Sequence, residues 1–364
     1  MKIKDIISCI EEYAPPALQE NYDNSGLITG NKEDEATGVI VCLDSTPDVI
    51  DEAAGKKCNL VIAHHPVIFG GLNKVTGDNY VGQTIIKAIR SNIAIYAAHT
   101  NLDNVINGVN SRIAEKLGLV NCRTLSPRSG LLRKLVTFCP SAEAESVRQA
   151  LFKAGAGIIG KYGECSFNSE GMGTFKASEG TNPYVGKANI RHHEAETKIE
   201  TIYPAHIEKK VLRSLFESHP YEEVAYDIYR IENPTPWAGA GLAGELRKST
   251  DARTFLAHIK KVMQAKCVRH TKPAGKKVRT VAVCGGSGSF LLKDAIAAGA
   301  DVFVSSDFKY HQFFDANGKI MIADIGHYES EQFTKELLHE LLSKKFPTFA
   351  VHLSKIITNP INYL

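Results

Sequence analysis

Apolar residues fall in short runs separated by stretches of helical spacing, and this alternation organises both ends of the chain. Gly38 to Leu43, Asn59 to His65 and Ile93 to Ala98 are apolar runs of strand length. Between them, Pro47 to Ala54 and Gln83 to Arg90 read as helices, the first opened by Ser45-Thr46. The style returns in the last third. Val278 to Cys284, Asp301 to Ser305 and Lys319 to Ile325 read as strands, while Phe290 to Ala298 and Tyr328 to Lys344 read as helices. Strands alternating with helices predict an α/β fold whose parallel sheet is covered on both faces.

The middle third follows another order. Val136 to Cys139, Glu196 to Tyr203 and Glu223 to Ile231 read as strands, and Ala142 to Ala154 and His206 to Ser218 as helices. A Gly-rich stretch runs from Gly155 to Gly186, and Asn233-Pro234-Thr235-Pro236 reads as a linker. The β-α-β, β-α-β order predicts a ferredoxin-like α+β domain. The expected organisation is an α/β core whose first half spans 1–128 and second half 236–364, interrupted by an inserted domain over 129–235.

A length of 364 residues exceeds one ordinary core and suits two or three domains. The net charge of +3 is too small to point to a polyanion, so nucleic acid is not indicated as a partner. Eight cysteines are scattered with no Cys-x-x-Cys pair, and Cys42 lies inside an apolar run. That usage fits a reduced, cytoplasmic chain better than a disulfide framework. The first residues, with Ile6, Ile7 and Ile10 interrupted by Glu11 and Glu12, lack the apolar core of a signal peptide. No segment reaches the roughly 20 apolar residues of a membrane span.

Residues able to bind metal sit where the apolar runs stop. His64-His65-Pro66 ends one run, His99-Thr100-Asn101-Leu102-Asp103 another, and Asp324-Ile325-Gly326-His327-Tyr328-Glu329-Ser330-Glu331 a third. Taken singly, each has a structural reading. Neighbouring strand residues point to opposite faces, so both imidazoles converge only if the chain leaves the sheet there. Asp103 or Asn101 reads equally as a helix cap, and Glu329 and Glu331 as charges favouring a helix N-terminus. Together they supply three histidines and two carboxylates at strand ends of one domain, where such sheets place ligands. That mixed donor set suits zinc, manganese, iron or cobalt better than calcium. Five ligands exceed the three of a mononuclear catalytic site, so two divalent ions bridged by a carboxylate are expected at His64, His65, Asp103, His327 and Glu331.

Other features are more open. Gly285-Gly286-Ser287-Gly288-Ser289 could cradle a phosphate or serve tight packing. Asp307 and His311 follow another strand and could line the same cleft or be structural. His192-His193 lies among alternating charges and reads as a solvated strand, and the basic stretch Lys260 to Arg279 as a solvated helix and loop.

At these stretches the chain resembles the GTP cyclohydrolase I type 2 homolog, or Nif-three-like, family. The resemblance is carried by Tyr22-Asp23-Asn24-Ser25-Gly26-Leu27, Ala63-His64-His65-Pro66, His99-Thr100-Asn101-Leu102-Asp103, Gly285-Gly286-Ser287-Gly288 and Gly326-His327-Tyr328-Glu329-Ser330-Glu331. It implies dinuclear metal ligands at His64, His65, Asp103, His327 and Glu331. The middle, through Gly171-Met172-Gly173-Thr174-Phe175 and His219-Pro220-Tyr221-Glu222-Glu223, resembles the PII/CutA-like insert of the family's longer members. The family further implies a homo-oligomer, a toroidal hexamer with metal sites facing an inner cavity. Tyr22 and Leu242 depart from the Trp and Arg common at those places. The expected activity is metal-dependent hydrolysis of a nucleotide-like or other small substrate, with GTP cyclohydrolase activity the form the family name implies and His99 or His311 transferring protons. The alternative is a metal-handling or regulatory protein whose insert senses a small molecule.

Overall fold

Every residue of Val39–Cys42, Leu60–Ala63 and Ala94–Ala97 is buried in the computed structural model, which describes residues 1–364. Burial on both faces explains why these runs are apolar throughout instead of alternating. They are parallel neighbours in a five-stranded sheet. Val351–Leu353 joins in parallel beside Val39–Cys42, and Gly26–Thr29 closes the other edge antiparallel to Ala94–Ala97.

A six-stranded sheet runs in the order Arg269–His270, Met321–Asp324, Val302–Ser306, Lys277–Ser287, Thr235–Asp251 and Leu119–Arg128. Its Met321–Asp324, Val302–Ser306 and Lys277–Ser287 strands are parallel, flanked by antiparallel neighbours. Strand alternation divides the side chains between layers. Val39, Val41, Leu60 and Ile62 share one core with Val281, Val283, Val302 and Val304, together with helices Ile3–Tyr13, Val109–Leu117, Ala252–Val262 and Thr334–Lys345. The two sheets thus face each other through a common helical layer. The outer face of the first sheet packs on Pro47–Gly55 and Tyr80–Arg90, and that of the second on Leu292–Ala297. Phe303 is fully buried in that last layer. Phe303→Ala is expected to cost about 3–5 kcal/mol in urea unfolding, the usual penalty for emptying a buried aromatic site.

The α/β class stands, while the sheets are mixed where an all-parallel sheet was expected. Thr235–Asp251 is one long strand that had read as a linker followed by glycines. Its buried residues include Ala238, Gly239, Gly241, Ala243 and Gly244, too small to leave an apolar signature. The helix read as Tyr328 to Lys344 is two, His327–Glu331 and Thr334–Lys345.

Contacts divide the chain into two compact units, Met1–Pro127 with Pro236–Leu364, and Arg128–Thr235. The second has the order β-α-β-β-α-β: Leu132–Pro140, Ala144–Ala154, Ser166–Lys176, Arg191–Pro204, Glu208–Ser218 and Tyr226–Ile231. Its four strands pair antiparallel, with Leu132–Pro140 and Arg191–Pro204 at the centre. Both helices cover one face through Val147, Leu151, Val211 and Leu215, packed on Leu135, Ile199 and Tyr203. Ser166–Lys176 lies within the Gly-rich stretch and is exposed along most of its length, so no burial pattern marked it. None of the eight cysteines is paired, and no helix is long and apolar enough to cross a membrane.

Candidate metal centre

The carboxyl ends of parallel strands from both sheets open onto one cavity of about 700 Å³. Asp44 follows Val39–Cys42, His65 follows Leu60–Ala63, and His99 and Asp103 follow Ala94–Ala97. From the second sheet, Gly286 ends Lys277–Ser287, and His327 and Glu331 follow Met321–Asp324. His64 and His65 converge because the ladder bends after Ala63. His64 N donates to Leu43 O at 3.1 Å and His65 N to the same carbonyl at 2.9 Å.

Four imidazoles are held in the same sense. His64 Nδ1 lies 2.8 Å from Ala98 O, His65 Nδ1 2.7 Å from Asp44, His99 Nδ1 2.7 Å from Asp23 and His327 Nδ1 2.6 Å from Asp307. A carbonyl oxygen can only accept, so His64 carries its proton on Nδ1, and the carboxylates favour the same tautomer at the others. Each ring therefore turns Nε2 towards the cluster. This is the outer-shell arrangement that orients histidine for a metal.

Glu331, buried on the first face of its short helix, meets two sets of these nitrogens. Its Oε2 lies 2.9 Å from His65 Nε2 and 3.0 Å from His327 Nε2, while Oε1 lies 3.8 Å from His64 Nε2. Asp103 Oδ1 is 3.7 Å from His64 Nε2. Donor atoms of His64, Asp103 and Glu331 form one group that could hold a cation, and those of His65, His327 and Glu331 another. His64, His65 and His99 make a third such group. His64 Nε2 and Asp103 Oδ1 are buried without any hydrogen-bond partner. Such orphaned atoms are costly unless a ligand completes them. Their 3.7 Å separation lies just above the roughly 3.3–3.6 Å between two donors about 2.0–2.2 Å from one tetrahedral metal. The residues present therefore fit a divalent metal.

The electrostatics agree with a site built for positive charge. Burial opposes protonation of His65, yet Asp44 and Glu331 outweigh it and raise its pKa to about 10. His327 is likewise raised to about 11, burial being overcome by Glu331 and Asp307. Burial favours neutral Glu331, but His327, His64 and His65 reverse this and hold its carboxyl well below the usual range. Asp103 moves the other way, pushed up by burial and by the charge of Glu331. The cluster thus favours positive charge beside Glu331, as a cation held there would supply.

Of the residues picked out from sequence, His64, His65, Asp103, His327 and Glu331 come together, and His99 stands beside them. His311 does not. It is exposed on the 3-10 turn Tyr310–Ala316, against the rings of Tyr310 and Phe314, and is not among the cavity-lining residues. Asp307 takes a left-handed φ of 59° and accepts from His327, and Phe308 after it is buried. His311→Ala is accordingly expected to leave cation affinity unchanged in equilibrium dialysis.

The anchors Asp44 and Asp23 escaped the residue-by-residue reading. Asp44 directly follows the apolar run ending at Leu43, the same signal that marked the histidines. Asp44→Ala is expected to weaken cation binding about 10–100-fold, the usual effect of removing such a partner. Close packing accounts for glycine at 285 and 286. Gly286 has φ +60°, and a Cβ there would strike Glu331 Oε1. Its N–H donates to Ser330 Oγ at 2.9 Å.

The fold and this cluster define an α/β protein with a buried histidine-carboxylate site at the facing edges of two sheets. The chain belongs to the Duf34/NIF3 (NGG1p interacting factor 3) family, whose model matches residues 1–360. Among similar curated proteins are the "GTP cyclohydrolase 1 type 2 homolog" of Halalkalibacterium halodurans, 39% identical over 99% of this chain and 98% of the relative, and that of Bacillus subtilis, 38% identical over 99% and 98%. A Bacillus cereus protein related to NIF3 has a similar structure, with a TM-score of 0.89, 38% identity and coverage of 100% and 99%.

Proposed function

We propose that the protein binds two divalent metal ions per chain and is a metal-dependent hydrolase acting on a nucleotide-like or other small substrate. The observation that carries this reading is Glu331, whose two oxygens face two separate donor groups, His65 with His327 and His64 with Asp103. One ion would be held by His65, His327 and Glu331, the other by His64, Asp103 and Glu331. Such a pair supplies Lewis acidity and activation of water near neutral pH. The chain's own contribution is to hold the imidazoles in a fixed tautomer and to wall the cavity with Tyr22, Phe69, Phe290 and Tyr328. His99, with Nδ1 tied to Asp23, keeps Nε2 available to take up or give back a proton. Asp23 suits this task. Burial raises its pKa, but bonds from His99, Ser25 and Thr100 lower it further, so it stays ionised.

The nucleotide-like substrate rests on the name shared by the relatives, which makes GTP the first compound to assay. Metal-free protein should turn over nothing in a screen of nucleotides and small esters, and added zinc, manganese, iron or cobalt should restore activity. Asp103→Ala retaining full turnover would remove the assignment. Ions passed to an acceptor protein, with no turnover by any loaded form, would favour metal handling instead. The family resemblance also leads us to a toroidal hexamer, for which light scattering should give a mass six times that of the 39.8 kDa chain.

A further inference from the structure

Beyond the last strand, residues 354–364 adopt no regular secondary structure, yet they are fastened to the site from both sides. Ser354 N donates to Val41 O at 2.8 Å, and Ser354 Oγ to Glu52 Oε2 at 2.6 Å on the helix behind the first sheet. Thr358 Oγ1 then donates to Asp44 Oδ2. One residue on, Asn359 Nδ2 donates to Glu329 Oε1 at 3.3 Å, on the turn that bears His327 and Glu331. Thr358, Asn359, Pro360 and Ile361 all line the cavity.

Asp44 consequently has both oxygens engaged, Oδ1 by His65 Nδ1 and Oδ2 by Thr358. A carboxylate held at one oxygen can swing about its side-chain axis, whereas one held at both fixes the plane of the imidazole it orients. We infer that Thr358 is a positioning residue for His65, acting through Asp44, and that residues 354–364 form a strap joining the ligand-bearing edges of the two sheets. The inference rests on the metal-binding reading above, because the orientation of His65 matters only if its Nε2 has an ion to meet. No shared catalytic step is involved. The strap sets how well one of the two donor groups is aimed.

The test is a cobalt(II) titration of the metal-free full-length protein, followed by visible absorption, with His65→Ala and His64→Ala identifying which step belongs to which donor group. Thr358→Val removes the hydroxyl and keeps the branched shape; Thr358→Ser keeps the hydroxyl. Thr358→Val should weaken the His65-dependent step about fivefold, the worth of one hydrogen bond, and leave the His64-dependent step within about twofold. Thr358→Ser should restore the first step. Unchanged steps in Thr358→Val overturn the inference. So does equal weakening of both steps that serine does not rescue, since a purely structural role would behave in that way. Absence of cobalt uptake by the unmutated protein is a different failure, one that removes the metal reading and the strap's role with it.

Discussion

Glu331→Gln is expected to abolish tight cation binding at the proposed site, while the protein remains folded. The substitution keeps the side chain's size and removes its charge. Three imidazoles face that charge, at 2.9, 3.0 and 3.8 Å, and each candidate group that includes a carboxylate includes Glu331. Removing one member of a buried charged set costs about 3–5 kcal/mol, equivalent to roughly 10²–10³ or more in affinity. His65 and His327 would also lose the partner that raises their pKa to about 10 and about 11, so their protonated forms become less favourable. Equilibrium dialysis with elemental analysis, beside circular dichroism, reads the result. Stoichiometric metal at undiminished affinity would show that Glu331 is not the shared ligand.

Gly286→Ala should both destabilise the second sheet and disturb the site. Its φ of +60° already disfavours any side chain, and the added Cβ would meet Glu331 Oε1 with His327 Cε1 at 3.3 Å. Left-handed backbone costs about 1–2 kcal/mol for a residue with a Cβ, and forced overpacking about 1–3 kcal/mol more. The sum is a loss of about 2–5 kcal/mol in unfolding free energy, accompanied by weaker cation binding because Glu331 is displaced. Gly299 supplies the control. It has φ +73° with open space where a Cβ would go, so Gly299→Ala should show the backbone cost alone and bind metal normally. If the two variants lose equal stability and bind metal equally, close approach to Glu331 is not what requires glycine at 286.

The donor set could be read from the chain because chemistry sits where apolar runs end, and a strand end fixes a side chain's place at the sheet edge. His64, His65, Asp103, His327 and Glu331 all follow that rule. Of what orients them, Asp44 follows the same rule at the end of an apolar run, but its pairing with His65 could not be read. Asp23 bonds His99 across 76 positions of sequence and Asp44 bonds His65 across 21, and nothing in the local pattern separates such a carboxylate from a helix cap. Nearness in sequence to Asp307 did not bring His311 to the cavity, because it lies exposed on Tyr310–Ala316. In the fold, the buried faces of Val39–Cys42 and Val302–Ser306 announced themselves through apolar content. The equally buried Ala and Gly positions of Thr235–Asp251 did not, because close backbone packing takes the place of side-chain bulk there. Gly244, for one, leaves a Cβ only 2.8 Å from Cys122 Sγ.

The strand Val351–Leu353 lies beside Val39–Cys42, so that edge of the first sheet waits for a strand made long after its neighbour. His64, His65 and Asp103 leave the ribosome more than two hundred residues before His327 and Glu331, so a nascent chain holds only part of the candidate set until those residues are made. On the metal-binding reading, neither candidate group that includes a carboxylate would be complete until Glu331 has been made. A product terminated before residue 327 would lack both second-half donors, and one ending before 351 would lack the strand that closes the first sheet.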